Sequence, residues 1–417
     1  MIGPPRQATT VREDFMIVST PAAASLELKH ELKAEARTWL AKAREFAEEV
    51  VRPLGKVLDR MDAAGAVALD SPLRDFLAQA HREGYTRLSD SQQRGGVGLS
   101  AAAEYLVLEE LASADAGLAV LLCAAPLPFR WAGAGCFGRL ARDLSLPYFR
   151  GERIDWIGCC AAAEDTRLRA SATAGGWLLR GRTGWVPGAA IATHAAIACV
   201  VGAGSADGCA LAIVPLERAG VSRSPALDRL GLRSEACAKL TLEGVEMSRD
   251  ELLLSPRAGF GLLGSAAVFD HVVGAIAAAG IARAAYDGAL RLLREGARHG
   301  TAPAELGGAR RRLFRMFTLL EATRALTRAA HLYASEGSGR DDGLLQHATA
   351  AHGFAIEAAQ EIVDGAMALC AHRADARGVV EYLDGSTFQP EKLLRDARCA
   401  NVAWPASASL PLDAIYP

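Results

Sequence analysis

At 417 residues and 51% hydrophobic content, the chain is long enough for a large core and for two or three domains, and too apolar to be disordered. Its 46 basic and 48 acidic residues leave a net charge of -2, which excludes the electrostatic footprint of a nucleic-acid or anionic-membrane binder and favours a small-molecule ligand or protein partner. Nine cysteines, odd in number and irregularly spaced, make no disulfide framework, so the compartment reads as reducing and cytoplasmic.

The opening MIGPPRQATTVREDF mixes both charge signs without an apolar core, so residues 1–24 read as a loose tail and not as a signal peptide. Between Ser25 and Met61, Leu28, Leu32, Ala36, Leu40, Ala43, Phe46 and Val50 recur every three to four positions and mark a helix that Pro53 interrupts. Helices are also expected over Pro72 to Glu83 and Ala101 to Ala114, with Gly95, Gly96 and Gly98 in the loop between them. Residues 25–150 thus form a helical domain. The texture then changes: Trp177 to Leu179, Ala195 to Val201, Ala210 to Val214 and Ala238 to Leu242 are short apolar runs at strand spacing, a small β domain over residues 151–258. Helical periodicity returns through Leu290, from Leu313 to Tyr333 and from Leu344 to Cys370, predicting a four-helix bundle over residues 259–417. No apolar run is expected to reach the roughly 18–20 residues of a membrane span, because stretches such as Val272 to Ala282 are short.

Several segments, in order, resemble the acyl-CoA dehydrogenase superfamily. FAEEVVRPLGKVLD and REGYTRLSDSQQRGGVGLS resemble its first helix and Gly-Gly-x-Gly-Leu loop. GWLLRGRTGWVPGAAIATHAAIACVV resembles its strand pair around Trp-Ile-Thr, LDRLGLRSEACAKLTLEGVEMSRDELL its Lys-Leu-Gly-x-Arg-x-Ser segment, and QPEKLLRDAR the approach to its C-terminal catalytic loop. The resemblance implies a mainly helical fold in three parts: an N-terminal helical domain, a middle β-barrel-like domain and a C-terminal four-helix bundle. It further implies FAD at their junction, an acyl thioester substrate on CoA or a carrier protein, and homodimers or homotetramers.

It also says where catalytic groups should stand. The family's usual base is a Glu shortly after Arg-Asp-Ala-Lys; here CANVAWPAS puts Trp404 there, a substrate contact and not a base, since an indole cannot abstract a proton. Other branches carry the Glu on the first bundle helix before an Arg, a pair that aligns with Asp270 and His271. Asp270 is therefore the candidate base and His271 a substrate contact or polar partner; the competing reading of Asp270 is a helix N-cap.

The flavin contacts are thinner. Trp185 keeps the indole that packs on the flavin, or else belongs to the core, while the Thr beside it is Pro187. The phosphate loop is shortened to CCAAAEDTRLRAS, where Glu164 and Asp165 are poor neighbours for a phosphate. Arg298 is the one residue near the segment that reaches a neighbouring subunit's FAD, and a Gln of the next helix aligns with Gly307. Arg310, Arg311 and Arg312 read as a solvated face, and the insertion MALCAHRADARGVVEYLDG, with His372 and Arg373, as a surface or substrate loop. No metal site is implied: Cys370 and His372 alone lack a ligand set. Three readings stay open: a divergent flavoprotein acting on an acyl thioester in specialised metabolism, a flavin-dependent monooxygenase or non-redox enzyme on the same fold, and a flavin-less scaffold paired with a paralogue in a hetero-oligomer.

Overall fold

The structure, a computed structural model, describes residues 34–134, 138–161, 167–201, 208–254, 261–298, 303–336, 342–370 and 378–403. It opens with α1 (Ala34–Phe46), which buries Ala36, Ala43 and Phe46. Pro53 does not end this helix as expected. A wide turn over Ala47–Val51, in which the Arg52 N–H bonds to Ala47 O, carries the chain directly into α2 (Arg52–Arg60). The ladder is thus loosened just upstream of the residue that has no N–H to give.

α3 (Pro72–Glu83) starts at the Ser71 cap and stops at Gly84, which takes the left-handed conformation. α4 (Ala101–Ala114) and α5 (Ala116–Ala124) are buried over most of their length, and Asp115 between them caps α5 by accepting from Leu118 N at 2.9 Å. α6 (Leu127–Ala134) follows, and short helical turns over Gly138–Phe149 complete this helical part.

Eight strands follow: β1 (Gly158–Ala161), β2 (Arg167–Ala172), β3 (Gly176–Arg182), β4 (His194–Val201), β5 (Gly208–Pro215), β6 (Val221–Arg223), β7 (Leu240–Ser248) and β8 (Leu252–Leu254). They join in the order β6-β7-β3-β2-β4-β5-β8, with β1 paired in parallel to β4. The segment read as a shortened phosphate loop is therefore largely sheet: β1 and β2 occupy its ends, and Glu164 and Asp165 lie outside the described residues. Ala and Cys at their inward positions gave too weak an alternation to be recognised.

The last part packs α7 (Gly261–Arg298), α8 (Pro303–Glu336), α9 (Asp342–Cys370) and α10 (Pro390–Ala403). A Cβ on Gly280 would stand 2.4 Å from the Ala112 Cβ, so α7 crosses α4 at a distance only glycine permits. The supposed insertion is in part a pinned hairpin, β9 (Val380–Glu381) and β10 (Thr387–Phe388); the Tyr382 hydroxyl donates to Gly288 O at 3.0 Å and Arg291 covers its ring. His372 and Arg373 fall outside the described residues. Two segments, Ala116–Gly133 and Gly264–Glu295, are long and apolar enough to cross a membrane by length and composition, contrary to the expectation from the sequence; they are 89% and 72% buried inside the protein.

Buried ions tie the parts together. Arg283 of α7 meets Glu109 and Glu110 of α4, and Arg324 of α8 shares Glu109. Lys392 of α10 lies 3.0 Å from Asp115 and 2.6 Å from Asp396; Ser234 donates to Asp115, and the Leu232 N–H to Asp396. The QPEKLLRDAR segment is thus a clasp joining bundle, β domain and N-terminal helices.

Candidate active site

Helix α7 starts at Gly261, so Asp270 lies well inside it and cannot be its N-cap. Its carboxyl is pushed up to about 6, first by burial and then by the charge of Glu235. The same carboxyl helps burial push the Cys160 thiol of β1 well above its usual range, which places Asp270 on the face of α7 turned to the β domain. His271 points elsewhere. Its Nδ1 lies 3.0 Å from Nδ1 of His352 on α9, and burial holds the two imidazoles down to about 4 and about 3, so the pair is neutral, one ring donating and the other accepting. A Cβ on Gly274 would meet His352 Nε2 at 2.4 Å, so glycine there makes room for the ring.

Beside this helix lies a cavity of about 220 Å³ between the N-terminal helices and the bundle. Val268, Phe269, Val272, Val273 and Ile276 of α7 supply its apolar wall. Asp270 and His271 are not among the lining residues, but Asp270 follows Phe269 directly and stands one helical turn from Val273. The opposite wall carries the polar groups among apolar ones: Ser89 donates to Glu104 at 2.7 Å, His331 Nε2 lies 3.2 Å from Glu104, and Arg130 pairs with Asp90 at 2.7 Å.

Glu235 escaped the sequence reading. It is fully buried, ion-paired to Arg229, and flanked by Cys237 and, across Arg229, by Cys399. Its Oε1 accepts no hydrogen bond, and burial raises its pKa in spite of Arg229. Leu232 and Ala236, on either side of the turn that carries it, hold φ of 50° and 48°, left-handed values unfavourable for residues with a Cβ. A signal did exist: Glu235 stands where the motif Lys-Leu-Gly-x-Arg-x-Ser has its final Ser.

Trp185 is 42% exposed, with Lys239 Nζ 4.7 Å above its ring, and is therefore not a core residue. The Arg298 side chain and Trp404 lie outside the described residues. A Cβ on Gly307 would meet nothing within 4 Å, and Arg310, Arg311 and Arg312 are each exposed on α8, as expected of solvated side chains.

With helical, curled-sheet and helical parts in this order, the architecture is that of the acyl-CoA dehydrogenase fold. The butyryl-CoA dehydrogenase of Megasphaera elsdenii superposes with a TM-score of 0.72 at 19% identity, covering 89% of this chain and 94% of that one. A glutaryl-CoA dehydrogenase in complex with glutaryl-CoA superposes with a TM-score of 0.71 at 19% identity, covering 91% and 96%. The family models for the N-terminal and C-terminal domains of acyl-CoA dehydrogenases match residues 33–128 and 258–403, and the chain belongs to this family. Among relatives, a probable acyl-CoA dehydrogenase of Mycobacterium leprae is 24% identical over 79% of this chain and 83% of its own length. The amino sugar nitrososynthase DnmZ of Streptomyces peucetius is 31% identical over 54% of this chain; the match spans 56% of that protein.

The family is FAD-dependent, which makes the turn after Trp185 a test of fit. Val186 N donates to Ala238 O, Gly188 N to Glu235 O, Ala189 N to Val186 O, Ala190 N to Ala236 O, and both Ile191 N and Ala192 N to Gly188 O. Pro187 has no N–H. From 186 to 192, therefore, no backbone donor remains for a flavin ring, and the exposed Trp185 offers it only a surface to pack on. These residues do not fit a tightly held flavin. Protein purified without added cofactor is accordingly expected to show no flavin band in a visible absorbance scan; a stoichiometric band would overturn this reading of the turn.

Proposed function

We propose that this chain is a divergent acyl-CoA dehydrogenase-like enzyme of specialised metabolism, acting on an acyl thioester whose chain lies in the cavity beside α7 and whose α-carbon passes Phe269 to reach Asp270, the base that takes the α-proton. The observation that carries this reading is a carboxyl fixed in mid-helix, next to the cavity wall, with its pKa raised to about 6. Such a group is ionised at neutral pH yet more basic than an ordinary aspartate, as a general base requires. Glu235 contributes by keeping negative charge near Asp270, and the apolar wall excludes water from the acyl chain.

The test is exchange of the α-hydrogens of a hexanoyl thioester with deuterated water. Asp270→Asn is expected to slow exchange about a hundredfold or more while leaving thioester binding in place, and the wild-type rate to rise with pH through about 6. Because the folded carboxyl binds its proton more readily than the unfolded one, Asp270 costs stability as pH rises from 4 towards 6; the Asn variant is free of that cost, by about 1–3 kcal/mol at neutral pH. Lost exchange with a higher melting temperature therefore separates a catalytic role from misfolding, and equal exchange in both proteins refutes the assignment. A second reading, an oxygen-dependent enzyme, is supported by the similarity to the nitrososynthase. It requires turnover that depends on added reduced flavin and oxygen.

A further inference from the structure

We propose that the cavity selects a substrate bearing a basic nitrogen, a protonated amine that pairs with Glu104; this rests on the thioester reading only in taking the cavity as the substrate site. The lining is lopsided. One wall is the hydrocarbon of α7, and the other sets a polar group, Ser89, Glu104, Arg130 and His331, among apolar residues such as Leu108 and Trp131 around a space of about 220 Å³. A plain alkyl chain matches the apolar lining but adds no partner for Glu104, whose carboxylate has only Ser89 and His331 beside it.

The sign follows from a charge count. Arg130 is cancelled by Asp90, 2.7 Å away and itself 8% exposed. Glu104 is also 8% exposed; burial pushes its pKa up, but His331, Arg130 and Ser89 together hold it below the ordinary value, so it is a carboxylate. The Cys123 thiol on the same lining is pushed by burial up to about 12 and carries no charge. His331 Nε2, 3.2 Å from Glu104, is buried without an aligned hydrogen bond. Whether His331 is neutral or protonated, the wall totals minus one or zero and is never positive. An anionic tail therefore meets no net attraction, whereas an ammonium supplies donors to Glu104 and, beside a neutral His331, balances its charge.

Calorimetric titration of the full chain with hexylamine, hexanol and hexanoate tests the head group alone. Hexylamine is expected to bind roughly ten- to a hundredfold more tightly than hexanol, the range of a hydrogen bond to a charged group, with hexanoate weakest. Glu104→Gln should abolish the preference and leave hexanol binding unchanged; if that variant does not fold, the wild-type ratio still decides. Equal binding of amine and alcohol, or tighter binding of hexanoate, overturns the proposal. A parallel series of hexanoyl, ω-hydroxyhexanoyl, ω-aminohexanoyl and adipoyl pantetheine thioesters separates the two claims. Thioesters that bind without preference refute the amine and leave the thioester reading standing. Free amines that are preferred while no thioester binds do the reverse.

Discussion

Acidification from pH 6.5 to 4 is expected to lower the folding stability of this protein. Four histidines, three buried and His271 half-buried, resist protonation: His81, His194 and His271 are held down to about 4 and His352 to about 3. Burial is the main cause in each, joined by Arg87 at His81, Arg153 at His194 and the neighbouring His271 at His352. In the unfolded chain each titrates near 6.5, so below that pH the unfolded state takes protons that the folded state refuses, and stability falls with pH. A depression of this size is worth up to about 3 kcal/mol per group, and the sum is comparable with the roughly 5–15 kcal/mol of a whole domain. Asp270 and Asp287, both raised to about 6, and Glu235 and Asp396, raised by burial, oppose the trend, because their carboxyls gain protons on folding. Asp59, Glu104 and Glu251, held below the ordinary value by their cationic partners, act with the histidines. Thermal melts across this range should show the midpoint dropping steeply below pH 6.5, and a flat profile would mean that the histidines are not dry in solution.

Replacing Lys392 by Met is expected to cost about 3–5 kcal/mol, the usual penalty for removing one partner from a buried ionic cluster. Its ammonium lies between Asp115 and Asp396, and removing it leaves two carboxylates in one dry site. Neither can simply turn away: Asp115 caps α5 and accepts from Ser234, and Asp396 accepts from the Leu232 N–H. Urea unfolding of Lys392→Met measures the loss, and Lys392→Met combined with Asp396→Asn should regain part of it by neutralising one orphaned charge. A single variant within about 1 kcal/mol of the wild type would show that the cluster contributes little.

The fold was legible because it rests on periodicity distributed along the chain. The bundle helices and strands β3, β4, β5 and β7 announce themselves by apolar spacing, whereas β1 and β2 present Cys and Ala inward and were hidden. Pro53 misled because a single residue without an N–H predicts a break, while a wider turn absorbs it. Of the candidate site, Asp270 was found through alignment, but its raised pKa was not, since it depends on Glu235, thirty-five positions away in the chain. The polar wall was equally invisible: Glu104, Arg130 and His331 lie on three different helices, and only packing brings them to one space.

The closed turn after Trp185 bears on how this chain could be returned to the ordinary chemistry of its family. Pro187→Thr restores a hydroxyl and one N–H together, yet the flanking N–H groups stay bonded to Ala238, Glu235 and Ala236. Opening them means rebuilding the strained Leu232 to Ala236 turn, whose carbonyls are among their acceptors. The closure of this turn is therefore written into two facing stretches of main chain, and no single side-chain change opens it.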